Sequence, residues 1–248
     1  RSAAFPSWPI FGLEDEAALL DVLRSGNWFL GDRVAEVERV FSEFHHARHG
    51  CAVSSGTTAL QVALEAAGVG VGDEVVVPSY TFVATAAAVA LVGGVPVFVD
   101  VSPDTYCIDV AAVEAAVTER TRAVIAVHLA GQPADLDALV TLCRARGVRL
   151  IEDAAQAHCA EWKGRRVGAI GDLGTFSFQA SKNLNAGEGG FVLSDDEALA
   201  DAAWSIHNCG RTRAGEWYEH ALIGGNYRMT EFQAALLLSQ MRNLEPQT

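Results

Sequence analysis

Lysine is nearly absent from this chain of 248 residues. Only Lys163 and Lys182 stand among its eighteen basic residues, and the rest are arginines. An amine can lose its proton and attack a carbonyl, whereas a guanidinium stays charged, so each lysine asks for its own explanation. Cysteine is also sparse: five thiols, at 51, 107, 143, 159 and 209, odd in number and without a Cys-x-x-Cys pair. That pattern supports neither a disulfide framework nor a zinc knuckle, and we read reduced thiols in a cytoplasmic protein. Positive charge is short, with 18 basic against 31 acidic residues and a net charge of −13. This argues against nucleic acid or an anionic membrane as partner. No apolar run reaches the ~18 residues that span a bilayer. The longest, Phe82 to Gly93, is Ala/Val-rich, has a helical period and lacks the charged flank of a signal peptide. Nucleotide loops are missing too: Gly68-Val69-Gly70-Val71-Gly72 leads into a strand instead of a helix, and there is no Walker-type loop.

Half the residues are hydrophobic, enough for one α/β core. Apolar β-rich runs alternate with helical periods. Helices are expected at about 14–25 (closed by Gly26), 33–48, Gly56 to Gly68, 81–92, 109–117, 135–147, 196–208 and 229–244. Strands are expected at Cys51 to Val53, Glu74 to Val77, Val97 to Asp100, Ala123 to Val127, Val148 to Glu152, Thr175 to Phe178 and Phe191 to Leu193. Strands apolar on both faces, alternating with helices, imply a mostly parallel sheet covered on both sides. The most loop-like stretch is 209–227. The chain starts Arg1-Ser2 and ends at a helical run followed by Glu245-Pro246-Gln247-Thr248, which reads as a fragment.

Ligands of such sheets bind at the carboxyl ends of the strands. Five polar groups follow strands: Ser54-Ser55-Gly56-Thr57-Thr58, Ser79-Tyr80-Thr81-Phe82, His128, Asp153 and Lys182. Ser55-Gly56-Thr57-Thr58 reads either as a phosphate cup at a helix N-terminus or as a plain N-cap. Asp153 reads either as another cap or as a carboxylate that keeps a heterocyclic nitrogen protonated. Lys182 lies between an apolar strand and Gly187-Glu188-Gly189-Gly190, where the backbone can approach a ligand closely, and it is a candidate Schiff-base lysine. Lys163 reads as the tip of a polar hairpin. His45, His46, His49 and Cys51 lack a second cysteine or a carboxylate to complete a ligand set, so a solvated helix end is expected and no metal. His158 and Cys159 read as packing residues, and Trp28 and Trp204 as core or interface.

Six segments, in this order, carry a resemblance. They are Ser54-Ser55-Gly56-Thr57-Thr58-Ala59-Leu60, Pro78-Ser79-Tyr80-Thr81-Phe82, His128-Leu129-Ala130-Gly131-Gln132-Pro133-Ala134-Asp135, Glu152-Asp153-Ala154-Ala155-Gln156-Ala157-His158, Ser177-Phe178-Gln179-Ala180-Ser181-Lys182, and Gly225-Asn226-Tyr227-Arg228-Met229. With them the chain resembles the DegT/StrS-type sugar aminotransferases, fold-type-I enzymes that use pyridoxal 5'-phosphate. The Phe5-Pro6-Ser7-Trp8-Pro9, Gly26-Asn27-Trp28 and Ala186-Gly187-Glu188-Gly189-Gly190 segments are similar to the branch of inosose aminotransferases and aminohydroxybenzoate synthases.

The resemblance implies a three-layer α/β/α fold with a mostly parallel seven-stranded sheet. It implies an N-terminal arm (1–12), a cofactor-binding large domain (13–228) and, from 229 to 248, the start of a helix leading to a small domain beyond this chain. Lys182 would form the Schiff base with the cofactor, Asp153 would pair with the ring nitrogen, and Phe82 would stack on the ring. Gln156 would lie near the ring oxygen. Ser55, Gly56, Thr57 and Ser177 would hold the phosphate, and Asn226 would reach it from the second subunit of a homodimer. The implied reaction moves an amino group from glutamate or glutamine to a keto-sugar (nucleotide-linked) or keto-cyclitol. Ala130, where many nucleotide-sugar relatives carry an aromatic residue, points to a different acceptor. An aromatising dehydratase like the aminohydroxybenzoate synthases, or a non-catalytic regulatory relative, are the alternatives.

Overall fold

A computed structural model describes residues 8–247, so residues 1–7 of the expected N-terminal arm, with Phe5-Pro6-Ser7, lie outside the described residues, as does Thr248. The helices are α1 (Leu13–Ser25), α2 (Asp32–Phe44), α3 (Gly56–Ala66), α4 (Ala84–Leu91), α5 (Val110–Ala116), α6 (Leu136–Arg146), α7 (Glu197–His207), α8 (Glu231–Met241) and α9 (Leu244–Gln247). The strands are β1 (His49–Val53), β2 (Glu74–Pro78), β3 (Val95–Val99), β4 (Thr121–Val127), β5 (Arg149–Asp153), β6 (Glu161–Trp162), β7 (Arg165–Arg166), β8 (Leu173–Ser177) and β9 (Gly190–Ser194). Short polar residues start the helices as expected of N-caps. Ser55, Asp109, Asp135, Asp196 and Thr230 each accept an N–H from the first turn that follows.

Seven strands form one sheet in the order β1-β9-β8-β5-β4-β2-β3. The pairs β2–β3, β2–β4, β4–β5 and β5–β8 are parallel, and β9 alone runs against its neighbours β1 and β8. The sheet is therefore mostly parallel. Strand residues alternate between two cores. Val76, Val124, Ala126 and Leu150 face one side with residues of α2, α6 and α8, while Val75, Val77, Ala123, Ile125 and Ile151 face the other with residues of α3, α4 and α7. This is the expected three-layer α/β/α arrangement. Each fully buried Val, Leu, Ile or Phe side chain contributes about 1.5–3 kcal/mol, so the two cores dominate stability. Lys163 sits at the tip of the β6–β7 hairpin, paired with Asp137, as its sequence context indicates. No helix among the described residues is long and apolar enough to cross a membrane.

Two local expectations fail. The helix expected over 33–48 ends at Phe44, because His46 takes a positive φ of 58° and turns the chain into β1. His45 is consequently not at a solvated end. It is buried among Phe41, Phe44 and Phe176, with Nδ1 3.1 Å from the Val167 carbonyl, and burial pushes its pKa down to about 3. The helix expected from residue 81 begins at Ala84, which leaves Thr81 and Phe82 in the preceding turn at the sheet edge.

Candidate functional site

The carboxyl ends of β4, β5 and β8 and the N-termini of α3 and α4 enclose a cavity of about 480 Å³. Ser55, Gly56, Thr57, Phe82, Asp153, Gln156, Ser177 and Lys182 all line it. Eight of the nine residues that the resemblance assigns to the site therefore meet in one place. The ninth, Asn226, is exposed and bridges to Asn208 away from this cavity. His128 does not line it either. That side chain is fully buried beneath the site, with Nε2 donating to Glu152 Oε2 at 3.0 Å and Nδ1 accepting the Ala134 N–H at 3.1 Å. An acceptor at Nδ1 places the proton on Nε2. Buried Glu152 also takes the N–H groups of Gly168, Ile170 and Gly171. Burial would raise its pKa, but the His128 hydrogen bond and the Gly171 and Gly168 donors hold it below the ordinary value. His128 and Glu152 thus tie the loops after β4 and β5 to the sheet, and the site stands on them.

At the start of α3, Ser55 Oγ accepts the Thr58 N–H, and the Ala59 N–H returns to the Ser55 carbonyl. The N–H groups of Gly56 and Thr57 are the first two of the helix and have no intrahelical acceptor. They stand on the cavity wall at the positive end of the helix dipole. The fit against the sheet is tight. A Cβ on Gly56 would lie 2.6 Å from Ser177 Cβ, and one on Gly190 would lie 2.2 Å from the Ser55 carbonyl oxygen. Only glycine lets the helix start, β8 and β9 approach so closely. Behind Ser177, His158 Nε2 donates to its carbonyl at 2.8 Å, and burial lowers the His158 pKa to about 4.

Asp153 ends β5 and is 6% exposed. Its Oδ2 accepts the Thr85 hydroxyl at 2.9 Å and its Oδ1 the Ala155 N–H at 3.2 Å. Burial raises its pKa, opposed by those two donors and by the positive charge of Lys182. Lys182 follows β8 in a turn fixed by its own N–H to the Gln179 carbonyl (2.8 Å) and by Asn185 Nδ2 to its carbonyl (3.1 Å). Its half-buried amine is pushed below the ordinary lysine pKa by burial, against the pull of Asp153. Gln156 Oε1 accepts the Ala130 N–H at 2.7 Å, which leaves its NH2 as the available end. Phe82 is 68% exposed at the rim.

Five further polar residues line the cavity: Thr81, Thr85, Gln179, Ser181 and Glu188. Thr85 lies one turn after Thr81 in an alanine-rich segment, and that spacing was the only signal available for it. Among the described residues this is a cavity that pairs one nucleophilic amine with one buried carboxylate and an amide cup for an anion. Such a set can hold a carbonyl compound covalently, hold a cationic heteroatom, and anchor a phosphate.

The sequence profile of the DegT/DnrJ/EryC1/StrS aminotransferase family matches residues 10–248. The chain belongs to that family. This family member is 47% identical over 246 residues to the putative L-glutamine:3-amino-2,3-dideoxy-scyllo-inosose aminotransferase of Streptoalloteichus tenebrarius, covering 97% of this chain and 59% of that protein. It is 43% identical to the 3-amino-5-hydroxybenzoate synthase of Amycolatopsis mediterranei, over 100% of this chain and 65% of that protein. The crystal structure of a 3-amino-5-hydroxybenzoic acid synthase superposes with a TM-score of 0.96 at 42% identity, covering 99% of this chain and 65% of that one. The present member of the DegT/DnrJ/EryC1/StrS aminotransferases thus spans less than two thirds of the length of these relatives.

Proposed function

We propose that this chain is the cofactor-binding part of a pyridoxal-phosphate-dependent aminotransferase, with glutamate or glutamine as amino donor and a keto-cyclitol or keto-sugar as acceptor. The observation that carries the reading is the placement of Lys182 and Asp153 in one cavity beside the amide cup of Gly56 and Thr57. The donor set fits the cofactor. A phosphate would meet the Gly56 and Thr57 N–H groups with the Ser55 and Ser177 hydroxyls, and a protonated ring nitrogen would meet Asp153. Pyridoxal phosphate supplies an aldehyde that condenses with amines and a ring that accepts electron density when its nitrogen is protonated.

The protein's residues supply the rest. Lys182 Nζ would hold the aldehyde carbon, and once displaced by an amino donor its free amine would serve as the base that takes the proton from the donor's α-carbon and as the acid that returns it to the adduct. Its lowered pKa suits that exchange, since more of the amine is unprotonated near neutrality. Asp153, fixed by Thr85 and the Ala155 N–H, holds the proton on the ring nitrogen. The Gln156 NH2 would face the ring oxygen, and Phe82 would lie against the ring. Asn226 completes the phosphate site of a second copy, so a homodimer is the active unit. Residues 13–228 form the large domain and 229–248 begin the connection to a small one.

The acceptor reading rests on the named activities of the relatives and on Ala130, whose small side chain leaves room beside Gln156. An aromatising synthase is favoured as a second reading by the TM-score of 0.96 to such an enzyme. The test is a half-reaction: glutamate or glutamine added to the cofactor-loaded protein should bleach the coloured cofactor band and yield the 2-oxo acid. Incubation with each candidate ketone, followed by product analysis, separates amine transfer from water loss. A loaded protein whose spectrum never changes with any donor would be a binder and would overturn the catalytic reading.

A further inference from the structure

Away from the cofactor cavity, three ligating side chains from distant parts of the chain meet at the edge of the sheet. Glu38 comes from α2, Cys51 from β1 and His207 from the last turn of α7. One carboxylate oxygen, the thiol sulfur and one imidazole nitrogen all lie within 4.8 Å of one another. Cys51 is 2% exposed and His207 1%. None of the three lines the cavity that holds Lys182. Two of them are already oriented. His207 Nδ1 lies 2.6 Å from the Trp204 carbonyl, which fixes the proton there and leaves Nε2 as the lone-pair nitrogen. Glu38 Oε1 accepts the Ala52 N–H at 3.0 Å, leaving its other oxygen uncommitted to that bond. A histidine anchored through one nitrogen to a backbone carbonyl is the usual arrangement behind a metal ligand.

We propose that Glu38, Cys51 and His207 bind a divalent transition metal, zinc by preference, as a structural clamp joining α2, β1 and α7. One thiolate, one imidazole and one carboxylate form a set suited to a borderline-soft ion, and too few oxygens for calcium or magnesium. Ligand atoms of a tetrahedral zinc stand roughly 3.5 Å apart at ordinary bond lengths. Side-chain rotations on the order of 1 Å close the triangle, and water takes the fourth position. Binding releases the thiol proton to solvent. The ion's two positive charges then balance one thiolate and one carboxylate, so the buried cluster is neutral. The nearby arginines are otherwise engaged. Arg213 pairs with Asp201 at 3.1 Å and lies over the Trp204 ring, and Arg228 donates to Asn208 Oδ1 and Cys209 Sγ. The clamp also bears on the site. The His207 carbonyl accepts the Tyr227 N–H at 3.0 Å, so an anchored His207 holds the segment that carries Asn226.

The test uses the 248-residue chain without an affinity tag, stripped with chelator and reloaded with zinc or cobalt. Elemental analysis after gel filtration should find about one zinc per chain. X-ray absorption at the zinc edge should show one sulfur at about 2.3 Å with nitrogen or oxygen neighbours at about 2.0–2.1 Å. The cobalt form should show a thiolate charge-transfer band. His207→Gln should weaken zinc at least about tenfold, whereas Cys143→Ser, altering a buried thiol elsewhere, should leave it unchanged. Absence of retained zinc, a metal shell without sulfur, or a cobalt band that survives in Cys51→Ser would each overturn the proposal. The absorption spectrum of the unsubstituted chain decides the matter even where a variant fails to fold.

Discussion

The hydroxyl of Thr85 donates a 2.9 Å hydrogen bond to Asp153 Oδ2, in the interior and across the boundary between α4 and β5. A hydroxyl has one proton to give. Thr85 spends it on the carboxylate, so the 2.9 Å contact between the Thr81 and Thr85 hydroxyls carries the Thr81 proton toward Thr85. The pair makes a short chain that fixes Asp153 and favours its charged form against burial. Hydrogen bonds to charged groups are worth about 1.5–3 kcal/mol. Thr85→Val is therefore expected to weaken pyridoxal phosphate binding by roughly ten- to a hundredfold, and Thr85→Ser to keep it near the parent value. Fluorescence titration of the stripped protein with cofactor measures this, and equal affinities for Val and Ser would remove Thr85 from the account.

Gly56 predicts a packing defect that a second substitution relieves. Its Cβ position lies 2.6 Å from Ser177 Cβ, so Gly56→Ala must part α3 from β8, at a cost of about 1–3 kcal/mol. For a chain of this size that lowers the thermal midpoint by roughly 2–12 °C. Ser177→Gly in the same chain removes the opposing Cβ and should recover part of the loss. Calorimetry of the two single variants and the double variant checks the coupling; strictly additive losses would contradict it.

The two lysines should titrate on opposite sides of the ordinary lysine pKa. Burial lowers Lys182, whereas the hydrogen bond and charge of Asp137 raise Lys163. Trace acetylation of the cofactor-free chain across a pH series, read by peptide mass, should show Lys182 labelling rise at lower pH than Lys163. The reverse order would mean that Lys182 is not the activated amine.

Two buried histidines predict acid sensitivity. His45 and His158 fall from 6.5 to about 3 and about 4 on folding, both through burial. Between those values and 6.5 the unfolded chain binds protons that the folded chain refuses. The stability these two histidines contribute is therefore complete above pH 6.5 and declines as the pH falls, by up to about 1.4 kcal/mol per pH unit for each. His45→Leu should flatten the decline by one histidine's share. Urea midpoints between pH 7.5 and 4.5 measure it, and parallel curves for parent and variant would contradict it.

Much of this site was legible in the sequence because its parts announce themselves locally. Lys182 stood out through the scarcity of lysine, Asp153 by ending an apolar strand, and Gly56 by joining a strand to a helix. The parallel sheet then brings strand ends together, so position along the chain converts directly into proximity. Thr85 was missed because its one-turn spacing from Thr81 is a faint signal in an alanine-rich helix, and its partner is 68 residues away. His45 was misread because the end of α2 is set by the turn at His46, which the helical period runs straight past. Cys51 was weighed against its neighbours His45, His46 and His49, whereas the fold sets it beside Glu38 and His207. His128 follows a strand like the others, but its ring turns inward to Glu152 and serves the frame of the site.

The most direct measurement is borohydride reduction of the chain loaded with pyridoxal phosphate, followed by proteolysis and mass mapping of the reduced adduct. One pyridoxyl group on Lys182 is the expected result, retained in Lys163→Ala and abolished in Lys182→Ala. Label on Lys163, or a chain that binds the cofactor with Lys182 unmodified, would contradict the account.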